Sequence, residues 1–164
     1  MHQRLMDINP DLKLNVFNAF LKDEATHYLI EKLKPDYIID AIDTLSPKVF
    51  LIHYALTQGY KIVSSLGAGG RLDPTKIEIA DISKSKNCRL AFYIRKRLRK
   101  LGIKTGFKVI FSNEIVEDEA ILRIDNESNK KSTVGTISYI PAIFGGFCAS
   151  VVIRALCCDS VQNN

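Results

Sequence analysis

Three short apolar runs constrain this chain more than any other feature: Tyr37–Ile42 (YIIDAI), Lys61–Leu66 (KIVSSL) and Phe107–Ser112 (FKVIFS). Each has the length of a strand, and segments with helical spacing separate them. Upstream, Leu12–Phe17 (LKLNVF) alternates apolar and polar residues as a strand does. Asp23 or a neighbour then opens a helix to about Lys34, with Ala25, Tyr28, Leu29 and Leu33 on its apolar face and Pro35 closing it. YIIDAI and KIVSSL read as strands buried on both faces. Between them, Ser46-Pro47 offers an N-cap and a first-position proline, and Lys48–Gln58 runs to a stop at Gly59. The resulting βαβαβ order predicts a parallel sheet with crossover helices.

The second half continues the pattern. Gly67-Ala68-Gly69-Gly70 reads as a turn and Ile77–Ile82 as a strand. Cys88–Leu101 is an amphipathic helix whose apolar face carries Leu90, Ile94, Leu98 and Leu101. Glu117–Lys131 is polar and acidic and reads as a loop. A chain of 164 residues, 46% apolar and 25% charged, suits one globular core and excludes disorder, collagen and coiled coil. There is no repeat, no CxxC and no secretory-leader pattern, so four cysteines point to a reducing cytoplasm.

The net charge of +5 is unevenly distributed. Ten basic residues and no acid lie between Ile82 and Asn113, leaving 13 basic against 18 acidic residues elsewhere. Arg89, Arg95, Lys96, Arg99 and Lys100 fall on the amphipathic helix, either as a polyanion-binding face or as a solvated one. Ser132–Ile153 carries no charge, yet Pro141, Gly145-Gly146 and several hydroxyl residues interrupt it. It therefore reads as a buried helix rather than a membrane span, with Ala142, Gly146 and Ser150 as a small-residue stripe against another backbone.

A doubly wound sheet binds ligands at the carboxyl ends of its strands. Asp40 and Asp43 sit at one such end. A carboxylate there can hold Mg²⁺ bridging phosphates, or it can cap the following helix. The 67–70 glycines can cradle a phosphate with backbone N–H groups or simply make a tight crossover turn. There is no GxGxxG and no Walker lysine motif. Cys88, between Lys86 and Arg89, is the one thiol with basic neighbours and a candidate nucleophile.

Taken together, "INPDLKLNVFNAFL", "DYIIDAIDTLSPKVFLI", "SSLGAGGRLDPTKIEIADISKSKNCRLAFYIRKRLRKLGI" and "GTISYIPAIFGGFCASVVIRAL" resemble the ThiF/MoeB/HesA superfamily of adenylate-forming, ubiquitin-like-protein activating enzymes. The nearest branch is that of the tRNA threonylcarbamoyladenosine dehydratases. The resemblance covers nearly the whole chain and implies a Rossmann-like, mainly parallel α/β sheet with flanking helices, lacking its first βαβ portion. Residues 1–164 would then be the C-terminal two thirds of a single ThiF-type adenylating domain, with Met1 in the helix that follows the family's glycine-rich loop. Of the family's catalytic positions, only Asp43, the acid that helps bind Mg·ATP, has a counterpart here. Thr44 stands where the family usually has Asn. The paired zinc cysteines of some relatives are absent, as in this branch.

What the resemblance implies chemically is ATP-dependent adenylation of a carboxylate on a modified tRNA. An internal nucleophile then displaces AMP and closes a ring. The basic helix face would take the tRNA backbone, and a homodimer is expected. The rivals are an activating enzyme for a ubiquitin-like sulfur carrier, with a carrier or cysteine desulfurase-type partner, and a truncated binding module without ATP chemistry. A nicotinamide enzyme is more distant, since no cofactor fingerprint is present.

Overall fold

The computed structural model describes residues 1–21, 24–116, 121–123 and 132–162. Its elements in chain order are α1 (His2–Ile8), α2 (Glu24–Leu33), β1 (Ile38–Asp40), α3 (Leu45–Thr57), β2 (Ile62–Ser65), β3 (Ile77–Asp81), α4 (Arg89–Lys100), β4 (Lys108–Ser112), β5 (Ile121–Arg123), β6 (Ser132–Val134) and α5 (Tyr139–Gln162). Single 3-10 turns at Pro74–Lys76 and Ile82–Lys84 flank β3. The main sheet has the order β1-β2-β4-β3, and β5 pairs with β6 in a separate hairpin. β1, β2 and β4 are parallel, whereas β3 runs antiparallel to β4 with Ile79 opposite Ile110.

Strand alternation sorts the core into two halves. Ile62, Val109 and Phe111 face α3 and α4, meeting Ile52, Ala55, Ala91, Ile94 and Leu98. Val63 and Ile110 face the other way, onto Ile140, Phe144, Cys148 and Val151 of α5. The sheet is thus sandwiched between helices, the mainly parallel, Rossmann-like arrangement anticipated above.

Several local expectations need correction. Residues 12–17 form no strand, although they alternate, because no neighbouring strand among the described residues supplies a hydrogen-bonding ladder; Val16 and Phe17 are exposed. β1 ends the sheet and is covered on one face only: Asp40 is buried, whereas Ile39 on the other face is 50% exposed. The buried face of α2 is Thr26 and Ile30; Ala25, Tyr28 and Leu33 are exposed. Helix α3 starts earlier than the Ser46-Pro47 signal, with Thr44 at the N-cap. It stops as expected before Gly59, whose φ of +78° is open to glycine at little cost. The expected loop over Glu117–Lys131 lies largely outside the described residues, and Ile121–Arg123 within it is strand.

Helix α5 is long and apolar enough over Tyr139–Cys158 to cross a membrane by length and composition. Only one face of it, with Ile140, Phe144, Cys148 and Val151, is packed on the sheet; Tyr139, Ile153 and Leu156 are exposed, so it is not the buried helix expected, and the Ala142–Gly146–Ser150 stripe does not meet a backbone. Ala142 and Gly146 are exposed, and a Cβ built at Gly146 would meet nothing within 4 Å.

Candidate functional site at the carboxyl ends of the strands

A broad cleft of about 1930 Å³ opens where β1 and β2 end. Its walls are the loops after these strands, the cleft-facing side of α4, the segment after β4 and the start of α5. Single ligand pockets typically measure roughly 300–1,000 Å³, so the cleft has room for more than one small molecule.

Beneath the loop after β1 lies a buried ion pair. Lys48 Nζ is 2.7 Å from Asp40 Oδ2, and both side chains are fully buried. The ammonium also donates to the carbonyls of Ile42 (2.9 Å) and Ser65 (2.7 Å). Asp40 accepts from Ser64 Oγ, its cross-strand neighbour, at 2.6 Å and from the Ile42 amide at 3.0 Å. Burial pushes the Lys48 pKa down and the adjacent carboxylate opposes it. All three Nζ donors and both carboxylate oxygens are engaged, so Asp40 is committed to structure. Asp43 is the acid that reaches the cleft.

Asp43 is exposed and lines the cleft beside Thr44 at the N-terminus of α3. Thr44 caps that helix by backbone position, without a side-chain hydrogen bond. Gly67, Ala68 and Gly69 line the cleft opposite. Gly70, at φ +69°, turns the chain away and spends its amide on Gly135 O at 2.8 Å. The loop leads to β3 with no α-helix in between, so it is a crossover turn, and a helix-backed phosphate loop is excluded.

The basic residues of α4 divide. Arg89, Lys96 and Lys100 line the cleft. So does Arg97, which donates to Ser46 Oγ at 2.7 Å and so ties α4 to the first turn of α3. Arg95 and Arg99 are not among the cleft residues. Arg95 is partly buried and donates to Ser85 O (2.7 Å) and to Ser85 Oγ, fastening the turn before α4. It therefore stabilises the fold rather than forming a free cationic face.

Sequence reasoning missed two residues here. One is Lys48, a lysine in the first turn of an otherwise apolar helix, eight positions after a buried-strand aspartate. The other is Arg71, the charged residue that directly follows the glycine turn. It is 4% exposed and lines the cleft, and its Nη2 donates to Asn87 O at 2.6 Å. Asn87, at φ +52°, in turn donates to Asn113 O and Oδ1. Glu114 receives the amides of Leu72 and Asp73. Cys88 caps α4 by position, is buried, and lies beside the Arg71 guanidinium. Among the described residues no group of three or more His, Cys, Asp or Glu could form a metal cage. Asp43, the one carboxylate among the described cleft residues, with the cationic wall instead fits Mg²⁺ carried in on phosphates, which needs only one or two protein carboxylates.

A mainly parallel α/β sheet with helices on both faces, its strand ends opening into a cleft lined by acidic and basic side chains, defines the Rossmann-like, doubly wound class. The chain belongs to the ThiF family, which it matches over residues 1–164. It is 32% identical over 166 residues to the tRNA threonylcarbamoyladenosine dehydratase of Bacillus subtilis (strain 168), across 97% of this chain and 65% of that protein. With the dehydratase of Escherichia coli (strain K12) it shares 34% identity over 122 residues, across 70% of this chain and 45% of that protein. Among solved structures, the E. coli dehydratase in complex with AMP superposes with a TM-score of 0.84 at 26% identity, across 98% of this chain and 64% of that one. The same enzyme in complex with ATP gives 0.82 at 25% identity, across 99% and 64%. The chain thus spans just under two thirds, or less, of the length of these relatives.

Proposed function

We propose that this chain forms the Mg-facing and tRNA-facing part of an ATP-dependent tRNA threonylcarbamoyladenosine dehydratase. The observation that carries the reading is the position of Asp43: an exposed acid in the loop that follows β1, lining the same cleft as the cationic side chains of α4. The likeness to dehydratases solved with AMP and ATP supports it.

ATP would supply an activated phosphorus, on which a carboxylate oxygen of the modified base displaces pyrophosphate. The chain's share is positioning and charge neutralisation. Asp43, with Thr44 beside it, would hold Mg²⁺ on the phosphates. The Lys48–Asp40 pair keeps the 41–44 loop in place. Arg89, Lys96 and Lys100 would meet the tRNA backbone. A second copy, on the β1 edge or on the exposed apolar face of α5 with Ile153 and Leu156, would make a homodimer. The thiols of Cys88 and Cys148, both buried, suit a cytoplasmic protein.

The test is incubation with ATP, Mg²⁺ and tRNA bearing the threonylcarbamoyl base, followed by nucleoside mass spectrometry. The reading expects a nucleoside lighter by one water and AMP in equal amount. Pyrophosphate exchange stimulated by a Gly-Gly-ended carrier protein instead of tRNA would replace it with a sulfur-carrier activating enzyme. Salt-sensitive tRNA binding with no nucleotide turnover would leave a binding module.

A further inference from the structure

Arg71 stands out once the site is assembled. A guanidinium carries five N–H donors and is not deprotonated in proteins, so each buried one needs an acceptor. Arg71 is 4% exposed, yet the Asn87 carbonyl, on Nη2, is its one oxygen acceptor among the described residues, with the weakly accepting Cys88 thiol beside it. Nε and Nη1 are buried without an oxygen acceptor. Among the described residues the acid that acts on it is Glu114, whose carboxylate is taken by the amides of Leu72 and Asp73. Leaving such donors unmatched costs free energy that the Asn87 contact alone does not offset. The side chain lines the cleft, beside Cys88.

We propose that Arg71 is the anion receptor of the cleft, holding an oxyanion of the bound molecule on one of its two forks, Nε or Nη1 together with the second N–H of Nη2. The inference rests on the cleft being the ligand site but not on which ligand fills it. The shared chemistry is an oxygen anion, whether a nucleotide phosphate or the carboxylate awaiting activation. The Nη2–Asn87 bond fixes the plane of the guanidinium, so the remaining donors are preorganised for either. Arg71 then acts by binding and orienting, with no covalent step of its own.

Calorimetric titration of this chain and of its Arg71→Gln and Arg71→Lys variants tests the idea with two matched pairs: AMP against adenosine, and N-carbamoyl-L-threonine against its methyl ester. A charge-assisted contact predicts that Arg71→Gln weakens at least one anion by about 10- to 100-fold while leaving its uncharged counterpart unchanged. Arg71→Lys should restore part of the loss, because a point charge remains without the planar fork. Loss confined to AMP assigns the phosphate, and loss confined to the threonine derivative assigns the carboxylate; either supports the receptor. Binding of the acid through Arg71 with no binding of AMP or adenosine would sink the nucleotide reading and leave this one standing. Equal weakening of charged and uncharged partners would mean that Arg71 only braces the loop through Asn87. That result, unchanged affinities in Arg71→Gln, or a wild-type chain that binds neither anion overturns the proposal.

Discussion

Lys48 Nζ contacts Asp40 Oδ2 at 2.7 Å inside the core and at the same time ties the carbonyls of Ile42 and Ser65. The pair therefore links the end of β1, the loop that carries Asp43, the first turn of α3 and the end of β2. A buried pair gives little net stability over an apolar replacement, but removing one partner strands a charge. Lys48→Met should cost about 3–5 kcal/mol in urea unfolding. The Asp40→Asn/Lys48→Met double variant should cost less than the sum of the singles. A Lys48→Met loss below about 1 kcal/mol, the worth of an ordinary surface pair, would remove the pair from its structural role.

At the opposite ends of the strands, Asp81 caps the 3-10 turn. Its Oδ1 accepts from the Ser83 amide at 2.8 Å and its Oδ2 from the Gly106 amide at 2.9 Å. Burial raises its pKa, but hydrogen bonds from Ser83, Gly106 and Thr105 outweigh this and bring it to about 2, below the ordinary 3.8. The folded value is depressed, so the carboxylate's stabilisation is complete above the ordinary value and is lost as pH falls through the folded one. Urea midpoints should drop between about pH 4 and pH 2, and Asp81→Asn should flatten that part of the curve. An equally steep fall in the variant would assign the acid sensitivity elsewhere.

The division of α4 into cleft-facing and structural cations is measurable. Lys96→Glu and Lys100→Glu should each lower the slope of log binding constant against log salt for tRNA by about one. Arg95→Gln should leave that slope unchanged and lower thermal stability instead, through the lost Ser85 contacts. A slope that responds to Arg95 as strongly as to Lys96 would contradict the partition.

Helix α5 allows a contrast within one turn. Phe144 is buried between the helix and the sheet, so Phe144→Ala should cost about 3–5 kcal/mol. Gly146 faces open space, and Gly146→Ala should stabilise by about 1 kcal/mol through helix propensity. Chemical denaturation of both variants checks the pair. Destabilisation by the alanine at Gly146 would mean that another backbone does approach that stripe in solution.

The elements legible in the sequence were those whose pattern is local. The apolar runs at β2 and β4 are buried on both faces, and α4 keeps Ile94 and Leu98 inside as its periodicity implies. Pairing was not legible, because it depends on distant chain. Residues 12–17 have the alternation of a strand without a ladder, and nothing within Ile77–Asp81 announces that β3 runs antiparallel. In α2, the faces through Ala25 and Leu29 and through Thr26 and Ile30 differ by one residue, and tertiary contact selected the second. At the site, Asp43 and the cationic helix were visible as residue types at strand ends. Arg71 and Lys48 were not, since their importance comes from burial against partners 16 and 17 positions away.

The central claim is that Asp43 brings Mg²⁺ and nucleotide together in the cleft. Calorimetric titration of ATP into the wild-type chain and into Asp43→Asn, with Mg²⁺ and with EDTA, tests it most directly. The account predicts that wild type binds ATP more tightly when Mg²⁺ is present and that Asp43→Asn loses this difference while still binding ATP in EDTA. Equal gains from Mg²⁺ in both proteins would contradict it and move the metal away from Asp43.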